Sequence, residues 1–90
     1  MEVIFKIEAL TDLKCWKQSG NKAAQRKIQT LLKEISRTPY VGGGQPEPLK
    51  YELTGYWSRR INKEHRIVYR VNEANDTVEI HSLRGYYLDK

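Results

Sequence analysis

The sequence predicts an α+β fold in the order β-α-α-β-β-β-β, with two N-terminal helices packed on one face of a twisted, mostly antiparallel sheet. Three observations predict it. A loosely alternating apolar start gives way to two successive stretches of helical spacing. A loop rich in glycine and proline then interrupts the chain, and four short strand-like runs follow at close intervals. Ninety residues suit a single domain spanning 1–90. Helices with one apolar stripe each, facing strands that alternate, bury most when they cover one sheet face and leave the other open.

The first run, 2–7, contains Val3, Ile4, Phe5 and Ile7, and alternation places Val3, Phe5 and Ile7 on one side of a strand. Over 8–19 the spacing turns helical, with Ala9, Leu13 and Trp16 on one stripe, Leu10 beside them and Gly20 as the stop. Asn21 suits the N-cap of a second helix, whose Ala24, Ile28, Leu31, Leu32 and Ile35 follow an i, i+4, i+7, i+8, i+11 pattern. Thr38-Pro39 ends that helix, because proline cannot continue the ladder and restricts the residue before it. Gly42-Gly43-Gly44-Gln45-Pro46-Glu47-Pro48 makes a loop that is pliant at its start and stiff at its end. The strand-like runs after it are 49–53, 56–62, 65–72 and 77–83, joined by Thr54-Gly55, Lys63-Glu64 and the turn-like 73–76.

Alternation also sorts the sheet faces. Leu49, Tyr51, Leu53, Ile67, Tyr69, Val71, Val78 and Ile80 point to the helices, which leaves Lys50, Glu52, Ser58, Arg60, Arg66, Val68, Arg70, Glu79 and His81 on the open side. Arg59 shares parity with Trp57 and Ile61, and parity alone leaves its role open. Lys and Arg number 16 against 11 Asp and Glu, a formal charge of +5. Lys50, Arg60, Arg66 and Arg84, with Tyr86 and Tyr87 close after, suit a phosphodiester backbone with bases stacked on aromatics. The plainer reading is a basic face that keeps an exposed sheet in solution.

Several classes fall away. No apolar stretch approaches the roughly 18 residues of a membrane span, and Glu2, Lys6 and Glu8 break the apolar start, so a cytoplasmic protein with no membrane partner is expected. Cys15 has no second cysteine to pair with. His65 and His81 lack partners at ligand spacing, and the triple glycine is not followed by Gly-Lys-Ser/Thr, so neither a metal, a cofactor nor a nucleotide loop is expected.

RNA carries its own nucleophile, the 2′-hydroxyl. A cleaving site then needs a base, cations for the pentacoordinate phosphate, and an acid for the departing 5′-oxygen. Glu47 between two prolines offers the base, Arg66 with Lys50 or Arg60 the cations, and a terminal tyrosine the acid. Each has an ordinary alternative: Pro-Glu-Pro as a rigid turn, Arg66 as an ion-pair partner of Glu52 or Glu79, and Tyr86 and Tyr87 as amphipathic anchors.

Five motifs in order carry a resemblance: Arg37-Thr38-Pro39-Tyr40, the run from Gly42 through Pro46-Glu47-Pro48-Leu49-Lys50, Leu53-Thr54-Gly55-Tyr56-Trp57-Ser58-Arg59-Arg60-Ile61, Glu64-His65-Arg66-Ile67-Val68-Tyr69, and Arg84-Gly85-Tyr86-Tyr87. Over nearly the whole chain the sequence resembles the YoeB (Txe/YoeB) toxins of the RelE/ParE superfamily. The resemblance implies a RelE-like microbial RNase fold and a toxin of a type II toxin–antitoxin system. It implies an endoribonuclease that enters the A site of the 70S ribosome, cuts messenger RNA by 2′-hydroxyl attack and so inhibits translation. Its implied partners are a YefM/Phd-type antitoxin, operator DNA reached through that antitoxin, and a second copy of the chain. By the same resemblance Glu47 falls on the general base, Arg66 on the phosphate-stabilising arginine, Lys50 on a basic position of the RNA site and Tyr87 on the final tyrosine. The family's general acid is a histidine just before that tyrosine, where this chain has Tyr86. A free phenol holds its proton to a pH of about 10, so Tyr86 is a protonated but reluctant donor. The departure keeps a second expectation in play: a catalytically weakened or inactive toxin fold that serves as an antitoxin-binding corepressor.

Overall fold

A computed structural model describes residues 1–85; residues 86–90, Tyr86 and Tyr87 among them, lie outside the described residues. The elements run β1 (Glu2–Phe5), α1 (Ile7–Ser19), α2 (Lys22–Arg37), β2 (Glu47–Pro48), a 3-10 turn (Tyr51–Leu53), β3 (Trp57–Arg60), β4 (Arg66–Asn72) and β5 (Thr77–Ser82). Among the described residues the strands form one sheet in the order β1-β5-β4-β3-β2, with β1 parallel to β5 and every other pair antiparallel. This is the expected β-α-α-β-β-β-β arrangement.

The helices form where the sequence places them. Gly20 ends α1 in the left-handed region at φ 72°, a conformation that favours a residue without Cβ. Asn21 then caps α2, its Oδ1 accepting from the Ala24 amide at 3.0 Å, a bond worth about 1 kcal/mol. Ala24, Ile28, Leu31 and Ile35 are the buried stripe of α2, and they meet Ile67, Tyr69, Val78 and Ile80 from the central strands. Burying a leucine such as Leu31 contributes roughly 2 kcal/mol.

Three expectations are corrected. Ile7 does not extend β1: the Lys6 amide donates to the Ile80 carbonyl and the Leu10 amide to the Lys6 carbonyl, so the chain has already turned into α1 and leaves Ile7 84 % exposed. Leu10 is likewise exposed, and the α1 stripe buries Asp12 with Ala9 and Trp16. The run 49–53 is not a strand. Pairing with β3 falls on Glu47 and Pro48, at the sheet edge where a proline costs no ladder bond, and the chain then folds into the 3-10 turn. The Leu53 amide bonds Lys50 and the Thr54 amide and hydroxyl both bond Tyr51, which closes the turn and leaves Tyr51 72 % exposed at φ 56°. Only Leu49 of that run is buried.

The sheet face away from the helices is less open than alternation implies. Ser58, Arg66, Val68 and Ser82 are all buried there. Between Val68 and Tyr69 the β4–β5 register skips one residue of β5, His81, a bulge that bends the sheet locally.

Candidate active site

Register brings the central residues of the site together. Glu47 on β2 stands opposite Ser58 on β3, and Ser58 opposite Val68 on β4, so their side chains share one face. Arg66, at the start of β4 and paired with Arg60, reaches back along that face. Its Nη1 donates to Ser58 Oγ at 2.9 Å and lies 3.5 Å from Glu47 Oε1. The Arg66 side chain is only 8 % exposed, whereas that of Glu47 is 48 % exposed. A guanidinium held from beneath by a buried hydroxyl therefore faces a carboxylate that opens to solvent. The 3.5 Å spacing is that of an ion pair rather than a close hydrogen bond. Glu79, one of the two carboxylates that could have paired with Arg66 structurally, is held instead by Arg70 further along β4.

The carboxylate is held by a loop that would otherwise be slack. Arg59, whose role parity leaves open, is wholly buried and organises it. Its Nη2 donates to the carbonyls of Thr38 at 2.6 Å and Val41 at 2.9 Å, its Nη1 to that of Gly43 at 3.4 Å, and its Nε to Tyr69 Oη at 3.1 Å. Tyr69 in turn donates to the Pro39 carbonyl at 2.6 Å. Burial pushes the Tyr69 phenol up, against the opposing pull of Arg59, which keeps that proton available for donation. Glu34 of α2 supplies the counter-charge at 3.5 Å from Arg59 and also accepts from the Gly43 amide at 2.7 Å. Gly42 sits against this pair at φ 129°, and a Cβ there would meet Glu34 Oε1 at 2.7 Å and Arg59 Nη1 at 2.9 Å. Glycine is required by both the angle and the space.

The other predicted cations lie around this centre. Lys50 is exposed, three residues beyond Glu47. Arg60 is exposed and lines an open groove of about 370 Å³ together with Lys27, Gln45 and Lys63, so three cations surround one opening. Arg84 is exposed and lines a cavity of about 400 Å³ beside α1 with Cys15, Trp16 and His65. Tyr86 and Tyr87 lie outside the described residues. Among the described residues no group of three His, Cys, Asp or Glu is placed to hold a metal ion, and no helix is long and apolar enough to cross a membrane. Sequence reasoning put Ser58 on the correct face without assigning it a function, and it missed Glu34 and Tyr69. The signal for that pair was Arg59 itself, an inward-facing cation that must find acceptors.

Known proteins resemble this chain in both sequence and fold. A family profile described as the YoeB-like toxin of bacterial type II toxin–antitoxin systems matches residues 5–87. Toxin YoeB of Escherichia coli K12 is 44 % identical over 87 residues, 97 % of this chain and all of that one. A YoeB/ParE toxin from Agrobacterium tumefaciens superposes with a TM-score of 0.89 at 39 % identity, covering 97 % of this chain and 100 % of that one. The toxin of a YoeB–YefM complex from Staphylococcus aureus gives 0.81 at 43 % identity, covering 97 % of this chain and 98 % of that one. With the family profile, the sequence relatives and the superposed structures each spanning almost its full length, the chain belongs to the YoeB family of toxins from bacterial type II toxin–antitoxin systems.

Proposed function

We propose that this toxin is a messenger-RNA endoribonuclease that works in the A site of the ribosome, in the cytoplasm, and arrests translation. The observation that carries the reading is the Glu47 carboxylate 3.5 Å from the anchored Arg66 guanidinium. Glu47 takes the proton of a ribose 2′-hydroxyl as that oxygen forms a bond to the adjacent phosphorus. Arg66, with Lys50, stabilises the charge that grows on the phosphoryl oxygens, and Arg60 and Arg84 draw in the flanking backbone. The bond from phosphorus to the 5′-oxygen breaks, and that oxygen takes a proton from Tyr86, with Tyr87 completing the leaving-group side. The products are a 2′,3′-cyclic phosphate and a 5′-hydroxyl. Every proton moves between protein and RNA, so the scheme needs no cofactor. General acid–base help of this kind is worth roughly 10²- to 10⁴-fold per group.

The same reading extends to regulation. A YefM-type antitoxin neutralises the toxin, and the complex represses its own operon through operator DNA. The YoeB–YefM complex and the YoeB dimer known from Staphylococcus aureus support an antitoxin partner and a self-association for this chain.

The deciding experiment is Glu47→Gln assayed on programmed ribosomes by primer extension. The variant keeps ribosome binding and loses cleavage by about 100-fold or more. Cutting at the parental rate would remove Glu47 from the role of base. Tyr86 supports a second reading, an antitoxin-binding corepressor with little or no nuclease activity. Expression of the toxin alone separates the two: growth arrest with new messenger 5′ ends favours the nuclease, and unhindered growth favours the corepressor.

A further inference from the structure

Trp16, Asp12 and His65 have no part in the Glu47–Arg66 ion pair, yet each commits a polar side-chain atom to one short piece of backbone. Asp12, buried on α1, accepts the Leu83 amide at 2.9 Å through Oδ2. Trp16 donates its indole N–H to the Leu83 carbonyl at 2.8 Å. His65 accepts the Gly85 amide through Nδ1 at 3.0 Å, and its ring meets that of Trp16 edge-on, with centroids 5.0 Å apart. The Gly85 carbonyl accepts the amide of Arg66 at 3.1 Å. Both polar backbone groups of residue 83 and both of residue 85 are therefore engaged, three by side chains and the fourth by the residue whose guanidinium faces Glu47. Gly85 itself sits at φ 99°, a turn that a Cβ would strain.

A buried carboxylate, an indole N–H and an imidazole acceptor are a costly way to secure three residues that a continued strand ladder would hold by backbone alone. The arrangement makes sense as a device that fixes where the chain leaves the sheet. We propose that Asp12, Trp16 and His65 are positioning residues, a clamp that sets residues 83–85 against the Arg66 backbone and thereby governs the rate of the phosphoryl step without touching RNA. The proposal rests on the reading of Glu47 and Arg66 as the reactive centre. The Arg66 amide bonded to Gly85 belongs to the same residue whose guanidinium faces Glu47, so the clamp acts on the backbone from which that guanidinium extends.

His65 offers a test in which stability and positioning move in opposite directions. His65→Phe keeps a ring against Trp16 but removes the acceptor. His65→Asn loses the ring but places an amide oxygen where Nδ1 stood. Both are made in the full chain and read by thermal unfolding, by hydrogen exchange at the Gly85 amide, and by cleavage of messenger on programmed ribosomes. His65→Phe should unfold at or above the temperature of His65→Asn, yet exchange Gly85 about tenfold faster than the parent. It should also cleave about tenfold more slowly, with the half-saturating ribosome concentration unchanged. His65→Asn should keep Gly85 protected and cleave within about threefold of the parent despite its lower unfolding temperature. Cleavage rates that follow unfolding temperature rather than Gly85 protection would overturn the proposal, as would an unchanged Gly85 exchange in His65→Phe. A parent that cuts no messenger overturns the nuclease reading instead, while the exchange comparison still decides whether His65 holds Gly85.

Discussion

Arg66 shows how much one side chain depends on its support. A guanidinium near a phosphate is effective only if its planar fork is already aimed, and here Ser58 Oγ takes one of its donors at 2.9 Å beneath the surface. Hydrogen bonds to charged groups are worth about 1.5–3 kcal/mol, and a tenfold rate change needs about 1.4 kcal/mol. Ser58→Ala should accordingly lower the cleavage rate about tenfold. It should leave binding to the ribosome unchanged, as a single-turnover titration would measure. A variant with parental rate would show that Arg66 is aimed without Ser58. Alternation placed both residues on the same face because each is two positions from its neighbours on a regular strand. What alternation could not supply was the cross-strand register, which brings Glu47 opposite Ser58, since register is fixed by tertiary pairing.

Among the elements, the loop between α2 and β2 is the clearest case of a segment whose order comes from elsewhere. Three glycines predict slackness, and residues 38–43 are nonetheless pinned by one buried arginine through three carbonyls. Arg59→Met preserves much of the apolar volume but leaves those carbonyls without their donor and Glu34 without its counter-charge. The expected loss is about 3 kcal/mol in urea unfolding, together with faster proteolysis within 38–44. A loss below about 1 kcal/mol would mean that water replaces the guanidinium at little cost. The helices were readable because capping and 3.6-residue spacing are local: Gly20, Asn21 and the α2 stripe all act within a few residues. The 49–53 run misled because Leu49, Tyr51 and Leu53 fit a period of two, while the backbone bonds of Lys50 and Tyr51 fit a turn better. Asp12 was hidden for the complementary reason. A carboxylate on an otherwise apolar stripe looks misplaced until Leu83, 71 residues away, arrives to meet it.

Across the full width of the fold, the sheet must hold its edge strand β1 to its neighbour β5, and one carboxylate links β5 to β4 and to the end of β1. Glu79 on β5 accepts from Arg70 of β4 at 2.9 Å and lies 3.9 Å from Lys6, which follows β1. The hydrogen bond from Arg70 is the main cause holding the Glu79 carboxyl below its ordinary range, with Lys6 adding to it against the effect of burial. A carboxyl whose folded value is depressed favours folding above its unfolded value, and that contribution is lost as the pH falls through the folded one. Glu79→Gln should therefore destabilise the toxin at neutral pH, and the gap from the parent should close as the pH drops below the ordinary carboxylate value. Both cations are about half exposed, so solvent and salt screen the pair and the neutral-pH loss should stay under about 1 kcal/mol. Urea unfolding of parent and variant at pH 7 and pH 3 measures the gap directly, and adding salt at pH 7 should shrink it. A gap of equal size at both pH values would show that Glu79 joins the strands through packing and neutral hydrogen bonds, leaving its charge without a part in holding β1 to the sheet.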